Sequence, residues 1–475
     1  MNLPNYFLAD LPVEAVLSPA MIAEACQTLK RNREHYLAAR STESLIKTLS
    51  RVADSWLQPE NPFRQLALKH AWNAGLRHGA NGITRNAVPE AGVPVVGFSR
   101  ETLARGLDNF FGQLTRDNFH TLLVQEFGDT KRLDALTATA ADQRHNRMAI
   151  INAPEFQVHI AAGNIPNPTL MSMVFGLLTR SAQFVKCASG SSFLPRIFAH
   201  SIYEADAKLG ACLEVAEWRG GNTALENALF AEADCVTATG SDETLAAIRA
   251  QLPVKIHFLG YGHRVSFGFV AGEDLFGSSA RKIVARAADD VVAWNQLGCL
   301  SPHVIYVQLG GEVSPEQFAE LLAEELERRE QVEPRGDLPA EDAAAIALRR
   351  GIYEVRAAHS PGTTQHWCST DSTAWTVVYE ADARFQMSCL NRFIYVKAVA
   401  DLTAALQGAD DIRGKVSTIG VAVPEDKAQE IATQLARWGA TRICPLGQMQ
   451  NPPLTWRHDG RPALGDLVTW TDWEQ

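Results

Sequence analysis

Residues 158–192, VHIAAGNIPNPTLMSMVFGLLTRSAQFVKCASGSS, contain the pattern that decides the fold. A β-rich run at Val158–Ala161 leads through an Asn-Pro turn into an apolar helical segment, and a second β-rich run follows at Gln183–Val185. Arg180 and two prolines interrupt the apolar segment, so we interpret it as buried core and not as a membrane span. Two such runs joined by a helix predict neighbouring strands of a parallel sheet.

The same alternation continues on both sides of this segment. We predict an α/β fold with at least two lobes, in which residues 148–262 form a cofactor domain that binds its ligand at the carboxyl ends of the strands. Amphipathic helices precede it at Met21–Arg40, Glu43–Trp56 and Arg100–Leu114. Further strands are predicted at Leu213–Ala216, Cys235–Thr239, Lys255–Leu259, Arg264–Val270, Val304–Gln308, Ala374–Tyr379, Phe393–Lys397 and Val416–Val423, with helices at Pro195–Leu209, Thr223–Ala231, Glu243–Ala250, Ser278–Trp294, Pro315–Arg329 and Glu425–Trp438 and a surface loop at Gln331–Pro339.

Composition excludes several classes of function. The chain has 475 residues, 46% of them hydrophobic and 21% charged, which is the composition of a globular protein with two or three domains. The net charge of -10 argues against a nucleic-acid binder, which needs excess Lys and Arg to neutralise phosphates. The N-terminal residues lack the basic and apolar regions of a secretory signal. We therefore expect a cytoplasmic protein with no nucleic-acid partner and no membrane span.

The eight cysteines are scattered, and none forms a CxxC pair. The histidines show no HExxH motif and no other metal-ligand spacing. This pattern favours a reducing compartment and predicts neither a disulfide framework nor a metal site.

Cys299 is the first candidate for chemistry. It lies in WNQLGCLSPH (294–303), where a helix-like run ends at Gly298 and a strand begins just after Pro302. A thiolate in such a junction would suit acyl transfer from a thioester, and Gly298 would permit close backbone approach. The alternative is a small buried hydrophobic residue, as most free cysteines are.

Three loops follow predicted strands and carry small and polar residues. The loop 161–169 contains two asparagines whose amides could donate to an oxyanion at a helix start, 185–192 contains a lysine and hydroxyls that could hold a ribose or a phosphate, and 237–242 has a Thr-Gly-Ser turn. Each loop could equally be an ordinary turn. The absence of GxGxxG and GxxxxGK[ST] argues against a standard dinucleotide-binding turn or P-loop.

The order of these pieces resembles the aldehyde dehydrogenase superfamily. It is most similar to the long-chain fatty acyl-CoA reductases of the bacterial luminescence pathway, over about residues 145–475. The segments that carry the resemblance are GNIPNPT (163–169), TATGSDET (237–244), FLGYGHRVSF (258–267), WNQLGCLSPH (294–303) and LTWRHDGRPALGDLVTWTDWE (454–474).

The resemblance implies a role for each matching residue. Cys299 would be the nucleophile and Asn167 the oxyanion donor, with Asn164 as the alternative. It also implies an aldehyde-dehydrogenase-like fold of two Rossmann-like lobes with a helical N-terminal region. The cofactor lobe would be residues 1–262, the catalytic lobe 263–445, and the tail 446–475 would pack on the cofactor lobe or on a neighbouring subunit. The expected cofactor contacts are Lys186 and Ser189 at a ribose or phosphate, and Gly240 and Ser241 near the nicotinamide.

One departure from the superfamily bears on the reaction. Hydrolytic aldehyde dehydrogenases carry a glutamate in the glycine segment, whereas Phe258–His263 contains no carboxylate. This resembles the acylating branch, in which a thiol and not water exchanges on the acyl-enzyme. Whether His263 or His303 takes part in proton transfer is left open by the sequence.

The resemblance implies an acyl-CoA reductase that uses NADPH (or NADH). We expect an acyl-CoA or acyl-protein thioester as substrate, a homo-oligomer, and an acyl-donating enzyme as a possible partner. The rival hypotheses are an acyl-phosphate reductase or semialdehyde dehydrogenase of the same fold, a catalytically silent nucleotide-binding member and, last, a cysteine hydrolase.

Overall fold

The fold was examined in a computed structural model that describes residues 3–12, 14–76, 97–161 and 163–475. The helices are α1 Pro19–Tyr36, α2 Thr42–Leu57, α3 Pro62–Leu76, α4 Arg100–Gly112, α5 Arg116–Phe127, α6 Ala140–Gln143, α7 Asn167–Leu178, α8 Phe193–Ala205, α9 Ala207–Gly210, α10 Thr223–Phe230, α11 Asp242–Gln251, α12 Gly277–Val292, α13 Pro315–Val332, α14 Ala340–His359, α15 Leu402–Gly408 and α16 Glu425–Trp438. The strands are β1 Arg147–Asn152, β2 Phe156–Ile160, β3 Ala182–Cys187, β4 Leu213–Glu217, β5 Cys235–Thr239, β6 His257–Tyr261, β7 Val265–Val270, β8 Pro302–Gln308, β9 Thr364–Cys368, β10 Thr376–Glu380, β11 Phe393–Val399, β12 Val416–Ala422, β13 Ile443–Pro445 and β14 Thr469–Glu474.

The strands β2 to β6 form a parallel sheet in the order β4-β3-β2-β5-β6. All six residues of β3 are buried, as expected for a strand covered by helices on both faces. The chain order reverses between β2 and β5, which creates a crevice at the carboxyl ends of these two strands. The α/β prediction is confirmed, and the predicted strands of this sheet lie within two residues of the observed ones.

A second sheet of seven strands has the order β13-β12-β7-β8-β11-β10-β9. Only β9, at one edge, runs antiparallel to its neighbour. The two sheets are consecutive along the chain, since β6 ends at residue 261 and β7 begins at residue 265. Cys299 precedes β8, a central strand of this second sheet, so the nucleophile candidate and the predicted cofactor loops belong to different sheets.

The N-terminal helices pack on helices of the five-stranded sheet. Trp56 of α2 is buried, donates from its indole N–H to the Ser201 hydroxyl of α8 over 2.8 Å, and stacks on Phe111 of α4. This donor is satisfied, so the large ring can be buried without the cost of an unpaired N–H.

The C-terminal residues lie against the five-stranded lobe. Strand β14 pairs antiparallel with β1, so that Thr469 is opposite Asn152 and Glu474 is opposite Arg147. Leu454, Leu464 and Leu467 belong to the same apolar core as side chains of α4 and α7. The segment thus forms one wall of the region between the two sheets.

The structure differs in detail from two predictions about local structure. Helix α12 ends at Val292 and not at Trp294, because Trp294, Asn295 and Gln296 adopt positive φ angles of 51°, 50° and 65°. The proposed surface loop at Gln331–Pro339 is partly helical and partly buried. Glu333 is 8% exposed, accepts a hydrogen bond from Thr102 over 3.1 Å and pairs with Arg105 at 3.2 Å, and these partners compensate the cost of burying its charge.

Within the described ranges, the search for a helix with the length and apolarity needed to cross a bilayer found none.

Candidate active site

All three polar loops predicted from the sequence lie at one edge of the five-stranded sheet. The loop after β2 leads to Asn167, the loop after β3 contains Ser189, and the turn after β5 contains Gly240 and Ser241. Because β2, β3 and β5 are parallel neighbours, their carboxyl ends meet at this edge. The topology therefore brings together residues that are distant in sequence.

The turn that carries Cys299 is held in a strained conformation. Three consecutive non-glycine residues, Trp294 to Gln296, have left-handed φ angles, which cost roughly 1 kcal/mol or more each. The buried amide of Gln296 donates to the carbonyls of Pro302 at 2.7 Å and Phe393 at 2.9 Å. A Cβ at Gly298 would clash with the side chain of Gln450. These contacts leave the turn little freedom and fix the position of the thiol.

Cys299 and Asn167 line the same cavity, which lies between the two sheets. Its walls come from α4, from α7 and from the C-terminal segment, and no charged side chain of the described residues lines it. Most of the lining is apolar and includes Phe110, Ile165, Met171, Phe175, Leu454, Trp456 and Leu467. Such a cavity suits the hydrocarbon part of a substrate, with the reacting carbonyl near the few polar groups.

The surroundings of Cys299 favour the protonated form of its thiol. Burial raises the pKa of Cys299 to about 12, and the negative charge of Asp459 adds to that increase. Hydrogen bonds with its own backbone N–H and with the Ser417 side chain, together with the positive charge of Arg264, oppose it. Since the thiolate is the reactive form, attack by Cys299 needs a group that accepts its proton.

Asn167 and Asn164 have different surroundings. Asn167 is the first residue of α7, and its side-chain oxygen is buried with no hydrogen-bond partner among the described residues. Asn164 is exposed, does not line the cavity, and donates its amide N–H to the carbonyl of Leu297 over 2.9 Å. The Asn167 side chain thus lines the cavity with an unpaired oxygen, whereas the amide N–H of Asn164 ties its loop to the Cys299 turn.

Lys186 is the last residue but one of β3 and is only 5% exposed. Its amino group lies 5.6 Å from the centre of the Trp218 ring, and no hydrogen bond or ion pair to it occurs in the part of the chain that the structure describes. Burial lowers the pKa of Lys186, against the opposing charge of Glu226. A buried amino group without a partner is able to bind a ligand oxygen.

The N-terminus of α8, next to Lys186, is already occupied by a carboxylate. Glu217 accepts hydrogen bonds from the backbone N–H of Gly190 at 2.6 Å and of Ser192 at 3.2 Å. Ser189 itself is exposed. The residues at this edge thus offer a cation, hydroxyls and a carboxylate, which together suit a ribose better than a bare phosphate.

Gly240 and Ser241 form the turn into α11. The Ser241 hydroxyl accepts a hydrogen bond from the Thr244 N–H at 3.2 Å and so caps the helix, and the Gly240 N–H donates to the Tyr261 carbonyl at 3.2 Å. The Gly240 contact links the turn to β6, whose last residue, Tyr261, lines the cavity.

The two histidines singled out in the sequence lie away from the cavity. His263 is exposed, and His303 is buried and shares a hydrogen bond of 2.9 Å with Ser388. Instead His458 lines the cavity and stacks on Tyr261, with a 4.5 Å separation between ring centres. Burial lowers the pKa of His458, which favours the neutral ring. Sequence reasoning quoted the segment around His458 but assigned it no role.

No other cysteine of the described residues lines this cavity. Cys187 is buried in β3, where burial raises the pKa of its thiol to about 12, and Cys389 is half-buried. No cluster of three or more His, Cys, Asp or Glu side chains suited to a metal ion occurs in residues 3–12, 14–76, 97–161 and 163–475.

The chain was compared with models of protein families. Residues 91–470 fit the family model described as acyl-CoA reductase (LuxC). Among curated proteins, the chain is 24% identical over 322 residues to a long-chain acyl-protein thioester reductase 2 of Photobacterium leiognathi, and 24% identical over 326 residues to a long-chain acyl-protein thioester reductase of Aliivibrio fischeri. Each match covers 67% of this chain and 64% of the relative, so it spans slightly less than two thirds of the relatives' length.

Solved structures establish the fold. An NAD-dependent benzaldehyde dehydrogenase from Corynebacterium glutamicum has a TM-score of 0.65 at 14% identity, over 97% of this chain and 91% of that chain. An NADP-dependent glyceraldehyde-3-phosphate dehydrogenase from Bacillus halodurans C-125, complexed with NADP, has a TM-score of 0.66 at 14% identity, over 97% and 92% of the two chains. The expected aldehyde-dehydrogenase-like fold is confirmed.

Proposed function

This chain belongs to the acyl-CoA reductase (LuxC) family, and on that premise we propose that it reduces an acyl thioester to an aldehyde through a covalent intermediate on Cys299. The observation that carries the proposal is the shared cavity, in which Cys299 and Asn167 meet and whose remaining walls are mainly apolar. A thiol nucleophile and a free amide next to an apolar channel are what acyl transfer from a fatty thioester requires.

The first step transfers the acyl group. The sulfur of Cys299 attacks the thioester carbonyl, the bond from that carbon to the leaving thiol breaks, and an acyl–Cys299 thioester forms. The acyl chain lies among Phe110, Met171 and Phe175, where burial of each CH2 group contributes about 0.8 kcal/mol. We propose a long-chain acyl group because this lining extends over side chains of α4 and α7.

Asn167 stabilises the oxyanion of each tetrahedral intermediate. Its side-chain amide and the backbone N–H of Cys299 are the two donors that we assign to the carbonyl oxygen. The position of Asn167 at the first residue of α7 adds the positive end of the helix dipole. Asn164 is not assigned this role because its amide N–H donates to Leu297.

A nicotinamide cofactor fits the edge of the five-stranded sheet. When bound, it supplies the hydride that reduces the acyl thioester. Lys186 would hold ribose hydroxyls or a 2′-phosphate, and Ser189 would contribute a hydroxyl at the same place. Gly240 and Ser241 would lie at the nicotinamide side, next to Tyr261 at the cavity. NADPH is the cofactor that we propose, and NADH is the alternative that the carboxylate of Glu217 favours.

The aldehyde is released when the sulfur of Cys299 is expelled and takes up a proton. Overall, one thioester, one hydride and one proton give one aldehyde and one free thiol. We propose acyl-CoA or an acyl-protein thioester as the donor, the latter supplied by an acyl-donating enzyme. We further propose that the protein is cytoplasmic and acts as a homo-oligomer.

The test is an acylation experiment without reduced cofactor. The protein is incubated with labelled long-chain acyl-CoA, and the labelled peptide is identified by mass spectrometry. We expect label on the peptide with Cys299, no label in Cys299→Ala, and normal labelling in Cys389→Ala, whose thiol lies outside the cavity. Addition of NADPH or NADH should release aldehyde.

Label on Cys187 or Cys389, or no label at all, would refute the proposal. Parallel assays with acyl-phosphate separate it from its rival, because an acyl-phosphate reductase would turn over that substrate and ignore acyl-CoA. The described lining of the cavity offers no cation for a phosphate, which favours the thioester. A series of acyl-CoA lengths then defines the chain that the cavity accepts.

A further inference from the structure

We propose that Ser417 and Asp459 form a proton relay that accepts the proton of Cys299 during acylation and returns it when the aldehyde is released. This inference rests on the proposed function and adds to it the path of the proton. It addresses the departure noted in the sequence, where the glycine segment lacks the carboxylate of the hydrolytic enzymes and no other charged group of the described residues lines the cavity.

The carboxylate of Asp459 follows directly after His458, which lines the cavity. The hydroxyl of Ser417 donates to the Oδ1 atom of Asp459 over 3.3 Å. The Ser417 side chain also interacts with the thiol of Cys299 and lowers its pKa against the effect of burial. Because the hydroxyl proton is donated to Asp459, the Ser417 oxygen is the atom available to accept the thiol proton. Ser417, in β12, is fully buried, so its hydroxyl connects the two groups without access to bulk water.

Besides Ser417, two side chains lie next to the carboxylate of Asp459. Its Oδ2 atom pairs with the Nε of Arg264 at 3.4 Å, and the Nε2 of His458 lies 4.0 Å from Oδ1. Asp459 has a φ angle of 53°, in the left-handed region, and its side chain is 6% exposed. A strained, buried carboxylate beside a nucleophile indicates a functional constraint more than a requirement of folding.

Four charged or titratable side chains of the described residues lie next to Asp459. They are Arg264 before β7, Tyr261 at the end of β6, Cys299 before β8 and His458 in its own turn. Arg264 places a positive charge next to the carboxylate. The neutral histidine borders the cavity on one side of it.

The proton transfers balance over one catalytic cycle. During acylation the thiol proton passes to the Ser417 oxygen while the Ser417 proton passes to Asp459, and the departing thiolate of the donor takes a proton from water. After reduction, the expelled thiolate of Cys299 regains its proton from Asp459 by the reverse path. While the acyl group is attached, Asp459 is protonated and unable to activate water, which is consistent with a persistent acyl-enzyme.

The relay predicts opposite effects of one substitution on two reactions of Cys299. Asp459→Asn removes a negative charge near the thiol, so the pKa of Cys299 falls and alkylation by iodoacetamide at pH 8 becomes faster. The same change removes the proton acceptor, and acylation by acyl-CoA in a single turnover should slow by roughly a hundred- to ten-thousandfold. Asp459→Glu should recover part of the acylation rate. Asp466→Asn, in the same segment but paired with Arg461, is the control and should leave both rates unchanged.

The outcomes separate the relay from other roles. If Asp459→Asn accelerates acylation or leaves it unchanged, Asp459 is only an electrostatic neighbour and the relay is refuted. If it slows alkylation as well, its role is structural and the relay is again refuted. If Asp459→Asn does not fold, the comparison of Ser417→Thr with Ser417→Ala decides, since the relay requires a hydroxyl and equal rates would overturn it. Failure of the wild-type protein to form any acyl adduct would refute the proposed function, and the relay with it.

Discussion

The Nε of Arg392 donates a hydrogen bond to the side-chain oxygen of Asn295 over 3.1 Å, in the interior of the molecule. Asn295 lies in the stretch 294–296 and Arg392 in the stretch 390–392, and all three residues of each stretch have left-handed φ angles. Arg392 also pairs with Glu330 at 2.9 Å and donates to the carbonyl of Glu333 at 2.8 Å. This fully buried guanidinium therefore joins α13 and β11 to the strained turn that carries Cys299.

Arg392→Ala should destabilise the protein strongly. Removal of the guanidinium leaves Glu330 without its buried partner, which typically costs about 3–5 kcal/mol of unfolding free energy. Chemical denaturation measures the change. Arg328→Ala is the matched control. Arg328 is exposed, and its ion pair among the described residues is with Glu325 on the same helix, so its loss should cost less than about 1 kcal/mol. Equal losses for the two variants would contradict the interpretation.

Asn167→Ala should lower kcat by roughly a hundred- to a thousandfold, the usual loss for one oxyanion donor. Asn164→Ala should lower it much less, because its amide contacts the Leu297 carbonyl and not the cavity. Steady-state aldehyde formation with a saturating thioester gives both values. The reverse ranking would transfer the oxyanion role to Asn164.

Lys186→Ala should raise the KM for the nicotinamide cofactor. Its buried amino group has no hydrogen-bond or ion-pair partner in the described ranges, so the substitution removes its ligand contact and its contact with the Trp218 ring. Acylation of Cys299 in the absence of cofactor should stay nearly unchanged, which separates a cofactor role from general damage. Lys208→Ala, an exposed lysine beside Tyr36, serves as the control. Unaltered cofactor kinetics in Lys186→Ala would show that this lysine has only a structural role.

Glu217→Gln should shift cofactor preference toward NADPH. In Glu217 one carboxylate oxygen accepts from the Gly190 N–H and the other from the Ser192 N–H. The glutamine keeps one of these two acceptors and removes the negative charge that a 2′-phosphate would meet. We expect the ratio of kcat/KM for NADPH to that for NADH to rise about tenfold. Repulsion between the Glu217 charge and a 2′-phosphate in a partly solvated site costs about 1–2 kcal/mol. Glu204→Gln, on the exposed side of α8, should leave the ratio unchanged. If the ratio does not change in Glu217→Gln, the 2′-position of the cofactor ribose does not lie near Glu217.

The acyl-enzyme should resist hydrolysis. General-base help commonly contributes about a hundred- to ten-thousandfold, and no carboxylate of the described residues lines the cavity. The isolated acyl-enzyme is divided among buffer, added thiol and reduced cofactor, and the products are quantified. Thioester should form with thiol and aldehyde with the cofactor, while free acid stays a minor product.

Rapid release of free acid in buffer alone would show that another group activates water. His458 would be the first candidate, since it lines the cavity whereas His263 and His303 do not. In that case His458→Gln should slow the release.

The sequence alone predicted the architecture because the relevant signals are local. A buried parallel strand has a continuous apolar run of about five residues, and the turn after it has small and polar residues, so β2, β3 and β5 and their loops are visible in residues 158–192 and 235–242. The topology of a parallel sheet then requires these loops to share an edge. The order of motifs indicated the family for the same reason, and Cys299 was found from its immediate neighbours.

Only the tertiary structure decided which groups surround the thiol. His458 and Asp459 come from the C-terminal segment, and their proximity to Cys299 depends on how β14 pairs with β1 and how the leucines near 460 pack against α4 and α7. Likewise, the left-handed turn at Trp294–Gln296 has no local signal, because buried partners such as Arg392 stabilise it against its intrinsic cost. Periodicity reports contacts within one element, whereas the chemistry of this site depends on contacts between elements far apart in the chain.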